Sequence, residues 1–268
     1  MDRDELRRKI AHAWDGLTAH YQKNTEISTR DIHYGWLAHG ERRLGLIGNV
    51  KGIRALEIGC GGGQNTIALA RWGAEAYGVD PSRKQIEHAR RLAQECEVDA
   101  AFHVTPAEDL SQFQDSFFDL VLSSYAFGYV SELAKAYAEA YRVLKAGGTF
   151  VMCTGHPYFS ATISALIQDP DHPGVRNYLA WPEVDAFDWG PVKMLDVFRT
   201  ISQLINCLLE AGFVLEKVLE QGVEDVKNMS EEEKAEIPYL CHYDEREYPI
   251  ARKIPCTIIL KARKPVGE

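Results

Sequence analysis

From Arg54 onward, apolar positions follow two alternating rhythms. Short apolar runs at 55–58, 76–80, 101–104 and 118–123 read as strands, the last apolar on both faces as a buried parallel strand should be. Between them lie segments of helical period. One covers residues 65–72 and stops at Gly73; the next follows Ser82, carries Ile86, Ala89 and Ala93 on one face, and has Ser82 and Gln85 at capping-box spacing. A further helix presents Leu133, Tyr137, Ala140 and Leu144, runs to Gly147-Gly148 and leads into a strand at 149–153. Strand and helix in strict alternation build a parallel sheet covered on both faces, so the fold class is α/β and Rossmann-like.

The rhythm breaks over about 156–198, where proline, aspartate, histidine and aromatic residues cluster (His156-Pro157-Tyr158-Phe159, Trp181-Pro182, Trp189-Gly190-Pro191). This stretch reads as an irregular insertion capping a site. Regularity returns with Ile201, Leu204, Ile205 and Leu208 on one helix face, a stop at Ala211-Gly212 and a strand at 213–218. A polar stretch around 230–234 precedes a last strand at 256–261. Residues 1–50 form a separate N-terminal unit, amphipathic and bearing Trp14, Tyr21, His33, Tyr34 and Trp36; residues 51–268 form the core.

Composition narrows the function. The chain of 268 residues is 46% hydrophobic, enough for a full core, and has no apolar run of membrane-spanning length. Its charged opening is unlike a secretory signal, which makes the cytoplasm the expected location. The six cysteines form no C-x-x-C pair, so no metal site and no disulfide framework is expected. A net charge of −9 disfavours nucleic acid and favours a small-molecule substrate, with the chain a monomer or homodimer.

The candidate chemistry begins at the turn Gly59-Cys60-Gly61-Gly62-Gly63, which follows the first strand and opens a helix, where free amides can meet a ligand. A dinucleotide fingerprint places its third glycine six along from the first, but Gln64 stands there and the third glycine, Gly63, comes one residue early. Glu57, two residues before Gly59, is unwelcome beside a pyrophosphate and welcome beside a cation. Asp80, at the tip of the second strand, is placed to bind ribose hydroxyls. A nucleoside with a cationic, unphosphorylated tail is S-adenosylmethionine.

On these residues the chain resembles the class I S-adenosylmethionine-dependent methyltransferases, particularly the small-molecule branch of ubiquinone and menaquinone biosynthesis. Leu56 to Gly63 is similar to that family's first motif, Gly78-Val79-Asp80-Pro81-Ser82 to its ribose motif, Ala107-Glu108-Asp109-Leu110 to its adenine-flanking motif and Arg142 to Gly148 to its late turn. Pro106 departs from it, standing where the family often has an acid. The resemblance implies a seven-stranded sheet with an antiparallel last strand and residues 1–50 as a helical lid. It also implies S-adenosylmethionine as cofactor and S-adenosylhomocysteine as product, held by Glu57, Gly59, Cys60, Gly61, Gly63, Asp80, Pro81, Ala107, Glu108, Ser123 and Tyr21.

For the acceptor, His33, Tyr34, Tyr125, Tyr158 and Arg199 are the candidate substrate contacts, and His156, leaving the fifth strand, the candidate general base. The expected reaction is in-line methyl transfer to an oxygen, nitrogen or carbon of a small, aromatic or amphiphilic metabolite. A nicotinamide oxidoreductase on a similar sheet and a non-catalytic S-adenosylmethionine-binding protein are the competing readings.

Overall fold

The computed structural model describes all residues except 26, 37, 169–177, 180–182, 223–228, 232–233, 235–236, 238, 240–252 and 268. The expected contribution of Trp181-Pro182 to the insertion lies outside the described residues, as does part of the polar stretch at 230–234. Among the described residues no helix is long and apolar enough to cross a membrane.

Seven strands form one sheet: β1 (Arg54–Ile58), β2 (Glu75–Asp80), β3 (Ala100–Val104), β4 (Phe118–Ser124), β5 (Leu144–Gly155), β8 (Val214–Gln221) and β9 (Thr257–Arg263), in the order β3-β2-β1-β4-β5-β9-β8. β1 to β5 are parallel, and β9 runs antiparallel between β5 and β8, as the resemblance implies. Alternate residues of the central strands serve two cores. Leu56, Ile58, Val121, Phe150, Met152, Ile258 and Leu260 meet α5 (Leu133–Val143) and α7 (Ile201–Glu210) on one face. Ala55, Leu120, Leu122, Val151, Cys153 and Ile259 pack on the other with Ala68 and Leu69 of α3 (Gln64–Arg71) and with Ile32, Tyr34 and Leu46.

Two features differ from the sequence expectation. α5 ends at Val143, not at Gly147-Gly148, because its carbonyls are capped from far along the chain: Lys264 Nζ donates to Tyr141 O and Leu144 O, 2.8 Å each. Gly147 instead sits in an irregular stretch of β5 at φ +78°, its N–H donating to Lys264 O.

The stretch 156–198 is also more regular than expected. It holds α6 (Pro157–Gln168) and a hairpin of β6 (Val184–Trp189) and β7 (Val192–Val197) turning at Gly190-Pro191. Its stability comes from α1 (Arg3–Thr25): Met194 and Val197 are buried against Leu6, Ile10, Ala13 and Leu17 of that helix. A hairpin packed on a helix some 170–190 positions earlier leaves little local signal.

Tyr137 lies on the buried face of α5, its ring 5.0 Å from Phe127 and 5.9 Å from Phe150, and its hydroxyl has no hydrogen-bond partner among the described residues. Removing an unsatisfied buried hydroxyl without changing shape relieves its desolvation cost, so Tyr137→Phe is expected to stabilise the fold by about 1 kcal/mol. The urea midpoint should rise at constant m; a fall would show that the hydroxyl is bonded.

Candidate functional site

The sheet order reverses between β1 and β4, and a cavity of about 480 Å³ opens there at the carboxyl ends of the strands. Its floor is the glycine turn. Gly59, Gly61 and Gly63 have φ of +70°, +50° and +85°. Their reasons differ. A Cβ on Gly59 would lie 2.1 Å from that of Ala126, and one on Gly63 would lie 2.8 Å from that of Ala89, so these two glycines permit packing. At Gly61 a Cβ would meet nothing closer than Gln85 Oε1 at 4.0 Å; that side of the turn is open to the cavity.

Two acids stand at the turn. Asp80 accepts Gly61 N–H on Oδ2 at 3.0 Å and Ser82 N–H on Oδ1 at 2.8 Å, tying the turn to the end of β2. Burial pushes its carboxyl up to about 6 against those two hydrogen bonds, with Asp15 adding to the rise. Glu57, only 2% exposed, accepts Thr66 N–H at 2.9 Å and Thr66 Oγ1–H at 2.5 Å on one oxygen. Burial pushes it up to about 8, opposed by hydrogen bonds from Thr66 and Asn65 and reinforced by Asp80. Two desolvated acids with no salt-bridge partner among the described residues form a site whose electrostatics favour a positive ligand group.

The cavity roof is aromatic. Trp14 makes edge-to-face contacts with Tyr21, Tyr129 and Trp189 at 5.2–5.6 Å, and Tyr21 shares a 2.5 Å hydrogen bond with Tyr239. Burial pushes the Tyr21 phenol up to about 12. His33 lines the same space; Gly35 N–H donates to its Nδ1 at 3.3 Å, and burial lowers it to about 4, so the ring is neutral near pH 7.

Polar contacts clasp α1 over the turn. Asp15 accepts Ser82 Oγ–H at 2.6 Å and Lys84 N–H at 3.0 Å at the start of α4 (Arg83–Glu95). Two turns further on, Gln22 Oε1 accepts Gln64 Nε2–H at 2.6 Å and Gln22 Nε2–H donates to Gln85 Oε1 at 2.8 Å. Gln85 Nε2 is left buried without a partner among the described residues, in the wall of the cavity. The expected capping box at Ser82 is therefore half formed: Ser82 Oγ accepts Gln85 N–H, but the Gln85 side chain is taken up by Gln22.

Of the residues expected to hold cofactor, Glu57, Gly59, Cys60, Gly61, Asp80, Pro81, Ala107, Glu108 and Tyr21 line the cavity. Glu108 also fixes the loop after the short 3₁₀ turn Phe127–Tyr129, accepting Ser131 N–H at 2.9 Å and Ser131 Oγ–H at 2.7 Å. Gly63 lies behind the turn, and Ser123 is buried, donating to Ile58 O at 2.8 Å.

Of the substrate candidates, His33 and Tyr125 line the cavity. Tyr34 is fully buried and donates to Glu41 at 2.5 Å, while Tyr158 is 40% exposed on α6. Arg199 stands outside, its guanidinium donating to Phe198 O, Val130 O and Ser131 O. His156, the candidate base, is outside the cavity lining with both nitrogens engaged: Nδ1 accepts Tyr158 N–H at 3.2 Å and Nε2 is 2.9 Å from Glu220. Such a ring caps the start of α6. Trp189, Tyr129, Gln85 and Tyr239 are cavity residues that the sequence pattern does not assign to the site; Gln85 reads there only as a helix cap and Trp189 only as part of an aromatic cluster.

Comparison with known proteins bears out the resemblance drawn from the motifs. Residues 56–152 match the family model described as a methyltransferase domain. An uncharacterized protein of Haemophilus influenzae is 26% identical over 200 residues, covering 68% of this chain and 75% of that one. A ubiquinone biosynthesis O-methyltransferase of Mesorhizobium japonicum is 35% identical over 131 residues, 49% of this chain. The chain spans about half the length of that relative, 50%. Among solved structures, an S-adenosylmethionine-dependent methyltransferase from Mesorhizobium loti superposes with a TM-score of 0.62 at 24% identity, covering 82% of this chain and 94% of the other; it shares the fold.

Replacing Gln22 by Ala strips Gln64 of its acceptor and Gln85 of its donor, which is expected to cost about 1–3 kcal/mol. The checks are a lower urea midpoint and faster amide exchange through α1. Unchanged exchange there would mean that the Asp15 and apolar contacts hold the helix without Gln22.

Proposed function

From the match of residues 56–152 to the methyltransferase domain model, we propose that this chain uses S-adenosylmethionine to transfer a methyl group to an oxygen, nitrogen or carbon of a small aromatic or amphiphilic metabolite. The observation that carries this reading is the pair of buried acids, Glu57 and Asp80, at an open glycine turn. The cofactor fits these residues. Glu57 supplies the negative charge its cationic amino acid end requires, and Asp80 accepts hydrogen bonds from vicinal hydroxyls. Gln85 Nε2 offers a donor that lacks a partner among the described residues.

When bound, S-adenosylmethionine supplies a methyl group already activated on a sulfonium. The protein's contribution is alignment and exclusion of water. The aromatic roof of Trp14, Tyr129 and Trp189 keeps solvent from the mouth and offers flat apolar surface to an acceptor ring. His33, neutral because burial lowers it to about 4, presents an uncharged imidazole to the same space and is better suited to orient a polar acceptor than to hold its proton. His156, engaged on both nitrogens, has no part in this scheme. A pyrophosphate-bearing nicotinamide cofactor fits poorly, since its negative charge would face Glu57.

The sign of the pH dependence follows from Glu57. Its acid is raised to about 8 in the free protein, so at lower pH a proton must leave before the carboxylate can meet a cation. Affinity for S-adenosylhomocysteine should therefore rise by about tenfold or more from pH 6 to pH 8, with proton release on binding. Glu57→Gln should flatten that slope, and Asp80→Ala should weaken binding by about 10–100-fold through lost hydrogen bonds. Titration calorimetry in buffers of different ionisation enthalpy measures all three. Absence of binding of both S-adenosylmethionine and S-adenosylhomocysteine at millimolar concentration would overturn the reading.

A further inference from the structure

Beyond the large cavity lies a second room of about 180 Å³, lined by Phe127, Thr154, Asp196 and Phe198 and sharing Tyr125 and Tyr129 with the first. The shared wall is held firmly. Tyr125 sits at φ +57°, unusual for a residue with a side chain, and its hydroxyl is 2.6 Å from Thr257 Oγ1. Its ring fills the space that a side chain at Gly35 would occupy: a Cβ there would be 1.8 Å from Tyr125 Cε2. Strain maintained by a matching glycine, at the partition between two cavities, points to a functional wall.

The chemistry of the second room is set by Asp196 on β7. Its Oδ1 lies over Gly128, where a Cβ would come within 3.1 Å. Burial pushes its carboxyl up to about 6 against a hydrogen bond from Val197 N–H; Asp185, its cross-strand neighbour, adds to the rise and Arg199 opposes it. Arg199 also lines the room, but its guanidinium is committed to the Phe198, Val130 and Ser131 carbonyls, and among the described residues no cation forms a salt bridge with Asp196. An acid without a salt-bridge partner among aromatic rings is the arrangement that recognises an organic cation.

We propose that this second room is a separate ligand site, beside the cofactor cavity, and that it takes a small aromatic amine, with the ammonium on Asp196 and the ring against the aromatic walls. Thr154 and Ser160 hydroxyls supply further acceptors for the remaining ammonium protons. The volume admits one ring with a short tail, and Tyr125 and Tyr129 place that occupant next to the cofactor cavity.

The test is a series that varies only the charge of the tail: tyramine, tyrosol and 4-hydroxyphenylacetate. Each is titrated into wild-type protein and Asp196→Asn, with and without saturating S-adenosylhomocysteine. Tyramine is expected to bind about tenfold tighter than tyrosol, with 4-hydroxyphenylacetate weakest, as a charge-assisted hydrogen bond requires. Asp196→Asn should erase that advantage and leave the Kd of S-adenosylhomocysteine unchanged. Equal affinities, no binding by any of the three, or a tyramine preference that survives Asp196→Asn would overturn the amine site while leaving the cofactor reading intact. Failure of S-adenosylhomocysteine to bind, with the tyramine preference preserved in its absence, would instead overturn the methyl-transfer reading and keep the amine site.

Discussion

The site depends on the short contact between Asp80 and the backbone N–H of Gly61. The chain must leave β1, reverse over the end of β2 and start α3 within five residues, and only glycine tolerates the positive φ angles this demands at three of them. A turn so rich in glycine is entropically costly to fix. Asp80 fixes it from the neighbouring strand, while the Gly59 and Cys60 N–H groups both donate to Val79 O at 2.8 and 2.9 Å. The same carboxylate that closes the turn is thereby left desolvated at the cavity wall. The structural role and the proposed binding role fall on one side chain, and the turn's need for the acid holds it there.

Much of this was legible in the sequence because it is local. Short apolar runs and period-3.6 segments placed the five parallel strands and the helices between them, and the spacing of Glu57, the glycines and Asp80 located the cavity floor. What escaped was whatever is decided by partners far along the chain. The capping-box pattern illustrates the difference. Thr200 and Gln203 form the complete reciprocal box at the exposed start of α7. Ser82 and Gln85 carry the same pattern but complete only half of it, since Gln22, from α1, captures the second side chain. The early end of α5, set by Lys264, and the β6–β7 hairpin, set by α1, have the same cause. Local chemistry proposes a cap or a turn; a distant donor decides which one forms.

α1 is accordingly more than a cover. One stripe, Leu6, Ile10, Ala13 and Leu17, buries apolar surface against the hairpin, while Asp15 and Gln22, two turns apart, reach polar groups of the core. The helix thus joins the two parts of the chain that wall the cavity, the glycine turn below and Trp189 with the hairpin above. Gly62 shows how closely they meet, since a Cβ there would come within 2.3 Å of Gln22 Nε2. The roof and the floor are therefore positioned by a single element, so a displacement of α1 would alter both together.

In the proposed scheme the buried acids let one aromatic enclosure distinguish two ligands. Glu57 and Asp196 are both desolvated and neither forms a salt bridge among the described residues, yet they face rooms separated by the Tyr125–Tyr129 wall. A charge-assisted hydrogen bond needs its donor and acceptor in contact, so a ligand group seated on one carboxylate does not reach the other across the tyrosine wall. Aromatic surface alone would accept either ligand in either place, because apolar contact has no direction. The two acids on opposite sides of a strained tyrosine give the enclosure its polarity, and that polarity sets which end of a bound pair lies where.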